Sequence, residues 1–151
     1  PKINFVPPLI KSKKFFDVIQ NNLIKNLQKL KNKTKTGLIV LASNTINTYA
    51  KSQINSLAKK IVKKNKFKFY KILLVTLNKE NIKKELKKLI SNYEFIILPI
   101  FLFRGNLLEN LQLVIKQNKK TNKNKFILCS HINNYKKIAS LINNLIKNNT
   151  T

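Results

Sequence analysis

The sequence predicts an α/β fold, an open four-stranded parallel sheet with helices on both faces, preceded by one extra helix. Two observations support this prediction. Four short runs of apolar residues lack polar alternation, which is typical of strands buried on both faces of a parallel sheet. Amphipathic segments separate these runs, and helical connections of this kind join parallel strands through right-handed crossovers. At 151 residues the chain is long enough for a single buried core.

Each element has its own signal along the chain. Residues 15–30 carry apolar side chains at helical spacing, with Asp17 suited to a first turn, and a polar run before Gly37 should end this helix. Strands are predicted at residues 38–42, 70–76, 95–100 and 126–129. Helices are predicted at residues 48–63, 79–90, 106–116 and 134–147. We divide the chain into a basic N-terminal extension, residues 1–36, and an α/β domain, residues 37–151.

The charge is strongly unbalanced. Lysine and arginine together number 31 against 5 acidic residues, which gives a formal net charge of +26. Self-repulsion on this scale destabilises a compact domain, so a polyanionic partner is expected. Codon usage in an A+T-rich genome would account for lysine replacing arginine, but it does not account for the scarcity of acids.

Cysteine usage and hydropathy limit the setting. Cys129 is the only cysteine, so a disulfide framework within the chain is excluded. A reducing compartment fits, and we expect an organelle matrix or stroma, in a mitochondrion or plastid, in preference to the cytoplasm. No apolar run approaches the roughly 18 residues of a membrane-spanning helix, so no membrane span is expected.

Open parallel sheets bind ligands beyond the carboxyl ends of their strands, at the point where the strand order reverses. Two segments at these ends resemble the small sirohydrochlorin and cobalt chelatases of the CbiX type. One is Leu-Ile-Val-Leu-Ala-Ser-Asn-Thr, residues 38–45, followed by Tyr49 and Ala50. The other is a Pro-x-Phe-Leu-x-x-Gly pattern, residues 99–105. The resemblance covers about residues 37–146 and implies a chelatase-like α/β domain whose subunits pair, so a homodimer is expected if the chelatase hypothesis holds.

The residues that would perform the family's chemistry are replaced. The family typically has His-Gly-Ser-Arg after the first strand, where this chain has Ser43, Asn44, Thr45 and Ile46. A second histidine, two residues beyond the later glycine, corresponds to Leu107. Histidine suits metal insertion because its neutral nitrogen binds metal and titrates near neutrality, whereas serine, threonine and leucine do neither. We therefore expect no catalytic residues at these degenerate positions, and no cofactor.

Other residues near these ends leave alternatives open. His131 is either a surviving metal ligand, with Glu109 and Cys129, or an exposed loop residue, and the second interpretation is favoured because a lone histidine is a weak metal signal. Cys129 is expected to point into the sheet. Ser43 and Thr45 have no nearby base in the sequence, so a loop and a helix N-cap are favoured over nucleophiles.

The lysines suggest phosphate contacts without base recognition. The candidate RNA-binding residues are Lys11, Lys13, Lys14, Lys31, Lys33, Lys35, Lys63, Lys64, Lys66, Lys119, Lys120 and Lys123. The preferred hypothesis is a non-catalytic, chelatase-like domain that binds RNA as a structural component of a ribonucleoprotein. An organellar ribosome, with ribosomal RNA and neighbouring proteins as partners, is the expected setting. The alternative is a sirohydrochlorin-type chelatase that inserts iron or cobalt into a polycarboxylate tetrapyrrole.

Overall fold

A computed structural model describes residues 11–31, 34–43, 47–75, 79–100, 106–118, 124–130 and 138–149. Helices and strands alternate along these residues. In chain order they are α1 (Lys13–Leu27), β1 (Thr36–Ser43), α2 (Thr48–Asn65), β2 (Phe69–Val75), α3 (Lys79–Lys87), β3 (Glu94–Pro99), α4 (Asn106–Asn118), β4 (Lys125–Leu128) and α5 (Ile138–Asn149). No helix in this part of the chain has the length and apolar character needed to cross a membrane.

The four strands form one parallel sheet in the order β2-β1-β3-β4. Strand β1 lies at its centre, and Val40 pairs with Ile72 of β2 on one side and with Leu98 of β3 on the other. Apolar side chains on both faces of these strands explain why β1 is buried along almost its whole length. The predicted α/β fold is confirmed, and each strand lies within two residues of its predicted position.

Helices α1, α2 and α5 cover one face of the sheet. Phe15, Ile19 and Leu23 follow one another at helical spacing on α1, and all three are fully buried. They pack in one core with the β1 side chains Leu38 and Val40. The division of the chain at residue 36 stays a prediction, but α1 shares its core with the sheet that follows.

Helices α3 and α4 cover the opposite face. Their buried residues, which include Ile82, Leu86 and Leu111, pack on the side chains of β1 and β3 that point away from α1. Aromatic rings at the amino end of the sheet extend this core, with Phe95 stacked on Phe126 at 5.6 Å between ring centroids. In the described part of the chain, all buried core residues of this face therefore lie between Ile39 and Phe126, without a contribution from α1.

Two details of the helix ends correct the sequence-based expectations. Asn47 is the N-cap of α2, and its side-chain oxygen accepts a 2.8 Å hydrogen bond from the backbone N–H of Ala50. The predicted cap, Thr45, is wrong because the N-cap directly precedes the first helical residue, Thr48. Asp17 likewise lies just beyond the first turn of α1, which starts at Lys13.

Candidate functional site

The carboxyl edge of the sheet is built around the end of β1. Ser43 is the last residue of this strand, is half-buried, and pairs with Val75 of β2. Beyond the last residue of β3, the N–H of Ile100 donates a 2.9 Å hydrogen bond to the carbonyl of Leu41. The strand order reverses between β1 and β3, so Ser43 lies where open parallel sheets bind their ligands.

The other candidate positions of this edge are described only in part. Leu107 lies in the first turn of α4, and its side chain is outside the described residues. Asn44, Thr45 and His131 are also outside them. Among the described residues, no group of three or more histidine, cysteine, aspartate or glutamate side chains could hold a metal ion. The expectation that this edge holds no metal stays a prediction.

Cys129, at the end of β4, points into the core. Its side chain is only 2 % exposed, and the amide nitrogen of Asn26 on α1 donates a 3.5 Å hydrogen bond to Sγ. Burial raises the pKa of this thiol to about 12, against a small opposing effect of Lys29. A thiol with this pKa stays protonated at neutral pH, whereas metals bind the thiolate. The predicted burial of Cys129 is confirmed, and its side chain is a poor metal ligand.

The predicted RNA-binding lysines lie on different parts of the surface. Lys11 and Lys13 flank the start of α1 on the α2 side, whereas Lys14 lines a groove toward α5 together with Asp17. Three lie at the amino edge of the sheet or beside it: Lys31, Lys35 and Lys66. Two are exposed in the last turn of α2: Lys63 and Lys64. The remaining four are outside the described residues: Lys33, Lys119, Lys120 and Lys123.

A basic groove of about 210 Å³ separates the start of α1 from α2. Its lining residues are Lys11, Ser12, Lys13, Phe16, Gln53, Ser56, Leu57 and Lys60. At the α2 N-terminal end of this groove, Lys11 Nζ lies 5.1 Å from the ring centroid of Tyr49. Sequence reasoning did not select Lys60 or Tyr49 as site residues, because only the packing of α1 against α2 brings them near Lys11.

Comparison with known proteins identifies the family. The CbiX family model matches residues 37–149, and the chain therefore belongs to the CbiX family. A solved structure, a putative cobalamin (vitamin B12) biosynthesis CbiX protein from Marinobacter aquaeolei VT8, shares the fold at a TM-score of 0.52 and 16% sequence identity. The match covers 76% of this chain and 94% of that one. No curated protein gives a significant sequence match.

The family match separates two structural features, one outside the matched residues and one within them. The CbiX-type, chelatase-like domain inferred from the sequence is confirmed. The family model begins at residue 37, so α1 lies outside the matched region, and the basic groove is formed between α1 and the matched helix α2. The carboxyl edge, in contrast, is formed by strands within the matched region, with Ser43 at the end of the first.

Proposed function

We propose that this chain is a chelatase-type protein that inserts a divalent metal ion into a polycarboxylate tetrapyrrole of the sirohydrochlorin class. The observation that carries the proposal is the CbiX family match over residues 37–149, combined with a parallel sheet whose strand order reverses between β1, which ends at Ser43, and β3. A ligand-binding edge of the expected kind is thus in place.

The charge of the protein suits such a substrate. A polycarboxylate is attracted by a chain of net charge +26, and its rate of encounter rises accordingly. The same field repels a free divalent cation, so the tetrapyrrole should bind first and its carboxylates should then neutralise the site locally. Each metal ion that is inserted displaces two pyrrole protons, which pass to water or buffer, and the positive field of the chain favours this release because positive charge lowers the pKa of a neighbouring acid. The metal would be held by the tetrapyrrole nitrogens, with the protein supplying orientation and charge.

The test is anaerobic incubation of the protein with sirohydrochlorin and Co²⁺, followed by absorbance. We expect tight binding of the tetrapyrrole and faster metal insertion than in the protein-free control. Ser43→His places an imidazole at the end of β1, and this variant should increase the rate further because histidine can both bind metal and accept a proton. A wild-type protein that leaves the spectrum and the insertion rate unchanged would contradict the proposal.

A second candidate function, RNA binding, is favoured by the composition of α2. This helix carries five lysines, all of them exposed, and no acidic residue: Lys51, Lys59, Lys60, Lys63 and Lys64. A row of lysine charges suits contacts to a phosphate backbone. Under this proposal the chain is a non-catalytic component of a ribonucleoprotein such as an organellar ribosome.

A salt titration of RNA affinity tests this second candidate. Affinity should fall steeply with salt, with a slope of log K against log salt of roughly 0.7 to 0.9 per phosphate neutralised. Replacing Lys59, Lys63 and Lys64 by glutamine should reduce the slope by roughly 2. The matched control replaces Lys84, Lys87 and Lys116, which are exposed on α3 and α4, and should change it less. Absence of RNA affinity at low salt would exclude this function.

A further inference from the structure

The basic groove between α1 and α2 combines charge with an apolar surface. Lys11, Lys13 and Lys60 are exposed and line it, and none of its lining residues is acidic. Phe16, half-buried, and Leu57, buried, give it apolar surface. A ligand that fits this lining carries an anionic group on a short apolar arm.

The dimensions favour a small anionic arm over a nucleic-acid backbone. A groove of about 210 Å³ is smaller than the pockets of roughly 300–1,000 Å³ that enclose whole small molecules. It is therefore suited to receive part of a ligand. A carboxylate on a methylene chain matches both the lysines and the apolar surface, whereas a sugar-phosphate backbone makes little use of the latter.

Tyr49 provides a surface for the rest of such a ligand. It lies in the first turn of α2, close after the end of β1, and its side chain is 49% exposed. Lys11 Nζ lies over one face of the Tyr49 ring at one end of the groove, so the cation and the ring are presented together. An exposed aromatic side chain is a surface on which a planar conjugated molecule can stack.

We infer that the α1–α2 groove is a subsite for the carboxylate side arms of the tetrapyrrole, with Tyr49 contacting the macrocycle. This inference rests on the proposed chelatase function and assigns a role to α1, which lies outside the family-matched residues. In this arrangement Lys11, Lys13 and Lys60 bind the carboxylates. The macrocycle then extends from Tyr49 toward the carboxyl edge of the sheet at Ser43.

The test measures the affinity of the full chain for uroporphyrin, a metal-free porphyrin polycarboxylate, by fluorescence. Replacing Lys11, Lys13 and Lys60 together by glutamine should weaken binding about tenfold, the sum of three exposed charge pairs of ordinary strength. Tyr49→Leu should weaken it about threefold through lost stacking. The matched control, Lys84, Lys87 and Lys116 to glutamine, removes the same charge from α3 and α4 and should change affinity less than about twofold.

A second ligand distinguishes binding of the carboxylate arms in the groove from general electrostatic attraction to the protein. Coproporphyrin lacks the acetate arms of uroporphyrin, so the groove variant should lose less affinity for it. If the wild type binds uroporphyrin and both triple variants weaken binding equally, the groove is not a subsite, although the proposed function stands. If the wild type binds neither uroporphyrin nor sirohydrochlorin, the proposed function fails and the subsite with it. Circular dichroism of each variant verifies the fold.

Discussion

The two faces of the sheet are completed in different ways. On the α3–α4 face, the core consists of residues that lie within the family-matched part of the chain, and four aromatic rings fill its amino end: Phe69, Tyr93, Phe95 and Phe126. On the other face, α2 and α5 are joined by α1, which precedes the matched residues. In the described part of the chain, one face is therefore built by the matched residues alone, and the other also includes α1, which lies outside them.

Helix α1 is as deeply buried as α2, which lies within the matched residues. The side chains of Phe15 and Ile19 on α1 have no solvent exposure, and those of Ile54 and Ile61 on α2 are at most 1% exposed. The side-chain amides of Gln20 and of Asn65 on α2 also donate a hydrogen bond to each other, at 2.6 Å from Gln20 and 2.9 Å from Asn65. The comparison indicates that α1 is an integral layer of the core, and the core substitutions Phe15→Ala and Phe95→Ala and the labelling of Cys129 test this conclusion.

The largest expected effect comes from one phenylalanine on each face. Phe15→Ala on α1 and Phe95→Ala on β3 each remove a fully buried ring, so each should lower the free energy of unfolding by about 3–5 kcal/mol. Denaturant titrations, monitored by circular dichroism, measure both. Similar losses in a single cooperative transition would show that the two faces unfold together. A small loss of unfolding free energy for Phe15→Ala, with a separate early transition, would show that α1 unfolds independently of the sheet.

The fold was largely predictable from the sequence because the strands are buried on both faces. Their uninterrupted apolar runs mark all four, and the helices between them show clear amphipathic spacing. The location of Ser43 at the functional edge followed from the same pattern. Helix α1 was also predicted, but its apolar stripe does not say which surface it covers.

The candidate subsite was less predictable because it depends on that packing. Lys11 and Tyr49 belong to separate segments, and only the placement of α1 against α2 brings the ammonium and the ring together. Because many lysines lie at helix ends and in loops, the sequence predicted that they would spread over several faces of the molecule. The structure places Lys13 and its neighbour Lys14 in different grooves, one facing α2 and one facing α5. Successive residues of a helix point in different directions, which explains this separation.

A smaller effect is expected at Gly37 on the aromatic face. A Cβ at this position would lie 2.9 Å from Phe95 Cε1 and 3.0 Å from Phe69 Cζ, so the rings leave no space for it. Gly37→Ala should therefore cost about 1–3 kcal/mol of stability through overpacking, measured by denaturant titration. Combining it with Phe69→Leu should recover part of the loss, since the half-buried Phe69 ring is one of the obstructing groups. An unchanged stability in Gly37→Ala would show that the aromatic face adapts.

The last prediction uses Cys129 as a reporter of the α1 face. The thiol is buried beside Asn26 of α1, and its pKa is raised from 9.0 to about 12 by burial. At pH 8 the native thiolate fraction is on the order of one in ten thousand, against about one in ten for an unperturbed thiol. Labelling by a thiol reagent should therefore require an opening of the protein that exposes Cys129.

The free energy of that opening distinguishes the two views of α1. If α1 is an integral layer, the opening free energy obtained from the labelling rate should match the free energy of global unfolding obtained with denaturant. Phe15→Ala and Phe95→Ala should then speed labelling by similar factors, because each destabilises the same cooperative unit. If α1 instead detaches by itself, labelling becomes faster than global unfolding allows, and only Phe15→Ala accelerates it strongly. Cys129→Ala provides the unlabelled control for the reagent.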